Sequence, residues 1–406
     1  MIPTSGPNLS YRVLALVGES SGDKILSQLI ESFAQSKIEI TWKGLGGEHS
    51  LAKGMTSVYP LGQLSVQGLT DALRIILRTL WVSSKFFFLF KSFRPHAIVF
   101  VDYPGLNSLL LRFFKKKIPS LTIAPPQAWA YQKKNLQVYK HSSIHILFER
   151  DLPFYQTLAR SLSQGHFFSK PTAYRPLAPY GGIKEKNKDN RTLLLCPGSR
   201  LPTFKRNLKL YLNAAHQFGL YHPSWDHAIL MPPNLNPRQM QGLEQKINSL
   251  WNIKNRKKTP QIIKNFQLPN SLATWPLVLT FPGTFTLELA LKGLPFLVLG
   301  QVDKLTYWYA HQKLKVKTTV LPQLLDPNFR VPEYIQTDPV FTKEALYSLL
   351  SLAKETPPPL PPASCWELYK HLGPSDIIET KNDPQGLPNS RCARHLLTLL
   401  QQNQNL

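Results

Sequence analysis

A chain of 406 residues exceeds what one hydrophobic core usually serves, so two domains of roughly 150 to 200 residues are expected. Its 43% hydrophobic content supplies those cores and excludes a disordered chain, which would be poorer in aromatic and aliphatic residues. The formal charge of +24 calls for an anionic partner such as nucleic acid, phosphorylated lipid or a nucleotide-linked substrate, without choosing among them.

Residues 1–11 lack the apolar core of a secretory signal, so export is not expected. Residues 11–17 read as a buried strand, followed by the turn Gly18-Glu19-Ser20-Ser21-Gly22-Asp23 and a helical pattern over 25–33. Strand, glycine turn and helix in that order open a doubly wound α/β domain, with glycine spacing unlike the dinucleotide fingerprint. Residues 73–93 form a helical segment interrupted by Arg74, Arg78, Lys85 and Lys91, too charged to cross hydrocarbon. At about 100° per residue Arg74, Arg78 and Lys85 fall near one face and leave an apolar remainder with Trp81, Phe86, Phe87 and Phe90. That pattern suits a helix lying in a membrane interface, with those four aromatics as the contact, and equally a helix that buries its aromatics in a core.

The strand, turn and helix rhythm returns at 97–101, ending at Asp102, with a helix over 106–114. Residues 174–190 are rich in Pro, Gly and charge and make the best domain linker. Beyond them the pattern restarts with a strand at 192–195, the turn Pro197-Gly198-Ser199-Arg200 and a helix at 208–218. A strand at 277–281, the turn Pro282-Gly283-Thr284, a helix at 285–292 and a strand at 295–299 repeat the design. Residues 356–363 are proline-rich and extended, and 391–402 form a terminal helix. Cys196, Cys365 and Cys392 lie far apart with neither zinc-site nor disulfide spacing, which points to a reducing, cytoplasmic setting. Basic clusters such as Arg112 with Lys115, Lys116 and Lys117, or Lys254 with Arg256, Lys257 and Lys258, are individually most often solvated faces.

Placed in order, these turns resemble the lipid A disaccharide synthases. Gly18 to Asp23 is similar to the family's opening Gly-Glu-x-Ser-Gly-Asp, Gly44-Leu45-Gly46-Gly47 to its next glycine turn and Leu64-Ser65-Val66-Gln67-Gly68-Leu69 to the apolar segment after it. Asp102-Tyr103-Pro104-Gly105-Leu106-Asn107 resembles Asp-x-Pro-x-Phe-Asn, and Pro126-Gln127-Ala128-Trp129-Ala130 resembles Pro-x-x-Trp-Ala. In the second half, Pro197 to Arg200, Gly283-Thr284-Phe285-Thr286-Leu287-Glu288 and Pro332-Glu333-Tyr334-Ile335-Gln336 match in the same order. The pattern departs at Gln132, Leu147, His166, Pro282 and Gln323.

The resemblance implies an α/β fold of the GT-B type, two facing Rossmann-like doubly wound domains with the active site in the cleft between them. The expected division is an acceptor and membrane-side domain over 1–175, a linker over 176–190, a UDP-sugar domain over 191–385 and a terminal helix over 386–406 packing back on the first domain. The implied reaction is the inverting transfer of diacylglucosamine from UDP-diacylglucosamine to the 6-hydroxyl of diacylglucosamine 1-phosphate (lipid X), with no metal and no cofactor. It would take place at the inner face of the cytoplasmic membrane of a Gram-negative bacterium.

A diphosphate leaving group without metal needs Arg, backbone N–H groups and helix N-termini. Arg200, Ser199, Gly283 and Thr284 supply those types, and Glu288, one helical turn past Thr284, suits the UDP ribose. Asp102, at a strand end, is the expected general base, with Glu19 as its rival. Ser21, Gly22, Asp23, Asn107 and Trp129 are expected either at the acceptor or in structural turns, Asn107 as a helix cap in the latter case. Two competing readings remain at this stage. One is a basic protein binding nucleic acid or an anionic surface; the other is a GT-B transferase using another UDP-sugar.

Overall fold

The computed structural model describes residues 10–60, 72–115, 117–129, 133–167, 191–233, 235–252, 259–264, 277–304, 307, 318–326, 328–338, 340–354, 368–369, 372, 374–376 and 387–404. The expected linker, the segment 64–69, the cluster 254–258, the proline-rich stretch 356–363 and Gln132 lie outside them. The described residues form two compact units. One holds the chain as far as residue 167 and takes it up again from residue 372, and the other holds residues 191–369.

The first unit runs β1 (Ser10–Val17), α1 (Ser20–Ala34), β2 (Glu39–Gly46), α2 (Glu48–Ala52), β3 (Thr56–Pro60) and α3 (Ala72–Phe93). It continues through β4 (Ala97–Val101), α4 (Pro104–Phe114), β5 (Ser120–Ile123), α5 (Lys133–Leu136), β6 (Ser143–Ile146), α6 (Leu152–Leu158) and β7 (Leu162–Gln164). All the strands are parallel, in the order β3-β2-β1-β4-β5-β6-β7. Every residue of β4 and β5 is buried, and so is β1 from Val13 to Val17, which is why these strands read as unbroken apolar runs: helices cover both faces. The chain winds outward from β1 to β3, then returns to the other side of β1 as β4. The sheet therefore has its topological switch between β1 and β4, where doubly wound folds bind ligands at the carboxyl ends of the strands.

The second unit repeats that plan with β8 (Thr192–Cys196), α7 (Leu201–Tyr221), β9 (Asp226–Leu230), α8 (Pro237–Asn252), β10 (Gln261–Ile263) and β11 (Leu277–Thr280). There follow α9 (Thr284–Leu291), β12 (Phe296–Gln301), α10 (Leu321–Leu325), β13 (Glu333–Gln336) and α11 (Lys343–Lys354). Its order β10-β9-β8-β11-β12-β13 puts the switch between β8 and β11. Phe204, Tyr211 and Phe218 bury one face of α7 against the sheet, and Tyr211 donates its hydroxyl proton to the Leu299 carbonyl at 2.6 Å.

The terminal helix Arg391–Gln404 belongs to the first unit and packs against α1 and β7. Its lead-in extends the sheet edge, since His166 N–H donates to Pro374 O at 3.1 Å and Asp376 N–H to His166 O at 3.0 Å. Asp376, 1% exposed, then caps the helix start by accepting Ser390 Oγ–H and, at 2.9 Å, Cys392 N–H. His166 is thus a sheet-edge residue whose backbone holds the returning chain.

Candidate functional site

Register brings the first unit's motifs together. Val17 pairs with Val101, so the turn after β1 and the turn after β4 leave the sheet side by side at the switch. The approach is close enough to require glycine at position 18, where a Cβ would stand 2.1 Å from Tyr103 Cγ, and it is tight at Gly22, where a Cβ would stand 3.2 Å from Asp102 Cβ. Ser21, on the first turn of α1, donates its hydroxyl proton to Asp102 Oδ2 at 2.9 Å. Asp102 takes a left-handed backbone, φ 41°, held by its own N–H to Ile123 O at 3.2 Å. Burial pushes its carboxyl above the ordinary carboxylate range, and the Ser21 hydroxyl pulls it part of the way back.

The other motif residues divide. Glu19 is half-buried and stands at the N-cap of α1, its carbonyl accepting Asp23 N–H at 2.9 Å. Asp23 has a structural role. It is wholly buried, and its carboxylate takes the N–H groups of Gly47 at 2.8 Å and His49 at 2.9 Å, with Ser50 Oγ–H as well. Those bonds cap α2 and fill the lone pairs a substrate would need. Asn107 lies inside α4, not at its cap, which is Tyr103; it is 2% exposed and its Oδ1 has no partner among the described residues. Trp129 lies in the loop that follows β5, with its ring 5.1 Å from the Arg150 guanidinium and its Nε1 enclosed without a partner among the described residues.

In the second unit Cys196 pairs with Thr280, and Phe281 N–H donates to Cys196 O at 3.0 Å, so the Pro197 and Phe281 turns also sit side by side at a switch. Gly198 has φ 140°, and a Cβ there would meet Thr203 Cγ2 at 2.7 Å, so the turn wraps tightly over the start of α7. Arg200 is the N-cap of α7 and Gly283 the N-cap of α9. Two helix N-termini with their free N–H groups therefore open at the same place, beside exposed Ser199 and Thr284. Arg200 is half-buried, and desolvation lowers its pKa. Glu288 is half-buried one turn beyond Thr284, and its charge opposes the desolvation that lowers the Lys292 pKa. Nearby, Gln301 N–H donates to Asn207 Oδ1 at 2.7 Å, fixing α7 to the end of β12. Glu333, in the motif Pro332 to Gln336, accepts from Thr318 Oγ1 at 2.6 Å and Thr319 N at 2.8 Å, which gives that motif a structural role.

The membrane-facing set needs correction at α3. Phe86 is 0% exposed and packs on Phe100 and Phe114 at ring distances of 6.3 and 5.9 Å, so it belongs to the core. Phe87 and Phe90 are half-buried against Phe114. Trp81 is 42% exposed, and the outward face adds Phe88 at 73% and Leu80 at 58%, which the helical wheel missed. Lys85 and Lys91 lie on that same exposed face, Lys85 Nζ 5.6 Å from the Trp81 ring, so charge and aromatics are mixed where the sequence pattern separates them. Among the described residues no helix is long and apolar enough to cross a membrane.

The model of one protein family, lipid-A-disaccharide synthetase, matches residues 13–357. A lipid-A-disaccharide synthase 1 of Legionella pneumophila strain Paris is 27% identical over 350 residues, covering 82% of this chain and 85% of the relative. The lipid-A-disaccharide synthase of Alkalilimnicola ehrlichii is 27% identical over 359 residues, covering 85% and 90%. Among solved structures, the spinosyn rhamnosyltransferase SpnG aligns with a TM-score of 0.51 at 13% identity, covering 96% of this chain and 99% of its own. The UDP-GlcNAc 2-epimerase of Neisseria meningitidis aligns at 0.50 with 12% identity, covering 97% and 99%. With two parallel, doubly wound units, the fold is α/β of the GT-B type.

Proposed function

We propose, for a chain that belongs to the lipid-A-disaccharide synthetase family, a division of labour between its two switch points. The protein is a glycosyltransferase that makes the lipid A disaccharide, and neither competing reading is favoured beside a family match spanning both units. The donor is UDP-diacylglucosamine, held by the second unit: Arg200, Ser199, Gly283 and Thr284 face its diphosphate and Glu288 its ribose. The acceptor is diacylglucosamine 1-phosphate, bound by the first unit with its 6-hydroxyl at Asp102.

Asp102 takes the proton of that hydroxyl as the oxygen attacks the anomeric carbon, and the C1–O bond to UDP breaks with inversion. The departing diphosphate gains negative charge, which Arg200 and the N–H groups at the starts of α7 and α9 stabilise. Leu80, Trp81 and Phe88, with Lys85 and Lys91, seat the protein on the anionic inner face of the cytoplasmic membrane, where both lipid substrates reside.

The observation that carries this reading is the coincidence of Asp102 with the β1/β4 switch and of Arg200 with the β8/β11 switch, within a family match that runs through both. Purified protein incubated with UDP-diacylglucosamine and diacylglucosamine 1-phosphate is expected to give the disaccharide 1-phosphate and UDP in equal amounts. UDP release without disaccharide, or no consumption of either lipid, overturns it.

A further inference from the structure

Three segments of the first unit meet at the carboxyl end of β5. The strand ends at Ile123, whose carbonyl accepts Asp102 N–H at 3.2 Å, and Ala124 N–H in turn donates to His145 O at 3.0 Å, so β4, β5 and β6 end level with one another. From Ala124, with φ 51°, the chain enters the loop that leads to Trp129. The described residues of that loop form no regular hydrogen-bond ladder of their own. It is held instead by the start of α6: Asp151 Oδ1 accepts Ala128 N–H at 2.7 Å, and the Tyr155 hydroxyl donates to Pro126 O. Arg150, beside Asp151, lies 5.1 Å from the Trp129 ring.

Asp151 is 3% exposed, and burial of a carboxylate costs stability unless it is hydrogen-bonded, as it is here by the Ala128 N–H. Trp129, in that loop, has an enclosed indole N–H with no acceptor among the described residues, a donor available to a ligand. We propose that Asp151 is a positioning residue for the acceptor: by holding Ala128 it sets Trp129 so that the indole N–H donates to an oxygen of the acceptor lipid beside Asp102. This rests on the reading of Asp102 and the first unit as the acceptor side.

Loss of the anchor should act on acceptor binding and spare the donor. Asp151→Ala is expected to raise KM for diacylglucosamine 1-phosphate about tenfold, the scale of one misplaced hydrogen bond, with KM for UDP-diacylglucosamine and the affinity for UDP unchanged. Asp151→Asn keeps a carbonyl oxygen for Ala128 N–H and is expected to restore KM to within about threefold. Trp129→Phe keeps a ring and loses the N–H, so it should give the same acceptor defect, and the double variant with Asp151→Ala should be no worse than either single one. Should Asp151→Ala not fold, Tyr155→Phe, which releases Pro126 O alone, must shift acceptor KM in the same direction. Equal rises in donor and acceptor KM, additive effects in the double variant, or an unchanged acceptor KM in a folded Asp151→Ala would overturn the proposal while leaving the reaction intact. A parent protein that makes no disaccharide and binds no acceptor lipid by calorimetry would overturn the reading beneath it, and the proposal with it.

Discussion

Ser21 Oγ and Asp102 Oδ2 are hydrogen-bonded at 2.9 Å across a sequence separation of 81 residues, joining the first turn of α1 to the end of β4. The contact opposes the desolvation that raises the Asp102 pKa, so Ser21 keeps the proposed base more acidic than its burial alone would. Ser21→Ala is therefore expected to move the acid limb of the kcat/KM profile to higher pH, because the base must lose its proton to work. A profile that stays in place or moves to lower pH contradicts the pairing of Asp102 with catalysis.

Glu288 tests the donor side. Glu288→Gln preserves the shape of the side chain and removes its charge, so UDP affinity should fall about tenfold by calorimetry, the loss of a charge-assisted hydrogen bond, with melting temperature retained. Unchanged UDP affinity in a folded variant removes Glu288 from the site.

On α3, exposure separates the membrane from the core. The double variant Trp81→Ser and Phe88→Ser is expected to leave anionic vesicles in a flotation assay and to melt as the parent does. Phe86→Ser should instead cost about 3 kcal/mol or more of stability, because it empties a site enclosed by Phe100 and Phe114. Retained vesicle binding in the double variant sinks the proposed contact.

The terminal helix is tied to the sheet by two neutral imidazoles. His145 Nε2 lies 2.9 Å from Gly165 O, which can only accept, so Nε2 carries the proton and Nδ1 accepts the Ser163 hydroxyl at 2.8 Å. Ser163 Oγ in turn accepts from His395 Nδ1 at 2.6 Å. Burial lowers the pKa of each imidazole to about 4; the Gly165 carbonyl pulls His145 part of the way back while the Arg391 charge lowers it further, and His145 lowers His395 further. Asp376, 3.3 Å from His145, has its own pKa pushed up by burial. A basic group whose pKa falls on folding contributes stability that is complete above its unfolded value, about 6.5, and lost as pH falls through about 4. Urea unfolding should therefore weaken across that window, and His145→Gln should flatten the slope. An identical slope in the variant contradicts the neutral pair.

Much of the fold was legible in the sequence because central parallel strands are buried on both faces. Residues 97–101 read as a strand from their unbroken apolar run, and β4 has those same bounds. The turns at Gly18 and Gly198 were legible for a related reason, since a neighbour packed where a Cβ would stand leaves glycine as a visible mark. What the sequence could not show is which element covers which face. Phe86 and Phe88 are two positions apart on one helix; β4 and α4 bury the first and leave the second exposed, and no periodicity within α3 carries that information. Asp151 was missed because its significance lies in Ala128, 23 residues earlier, and the segment between them has no motif that joins the two. Asp23 belonged to a recognisable motif, yet its partners at Gly47 and His49 emerge only once β2 is laid against β1.

The central claim, that Asp102 deprotonates the acceptor hydroxyl, is tested most directly by single-turnover transfer measured side by side for the parent and Asp102→Asn, with melting temperature and UDP affinity determined on the same preparations. Asparagine keeps the size of the side chain and an oxygen to accept from Ser21, so fold and UDP binding should be unchanged while transfer falls about 100-fold to 10,000-fold. Transfer within a few-fold of the parent, in a variant that melts and binds UDP normally, would contradict the account and move the search for the base to Glu19.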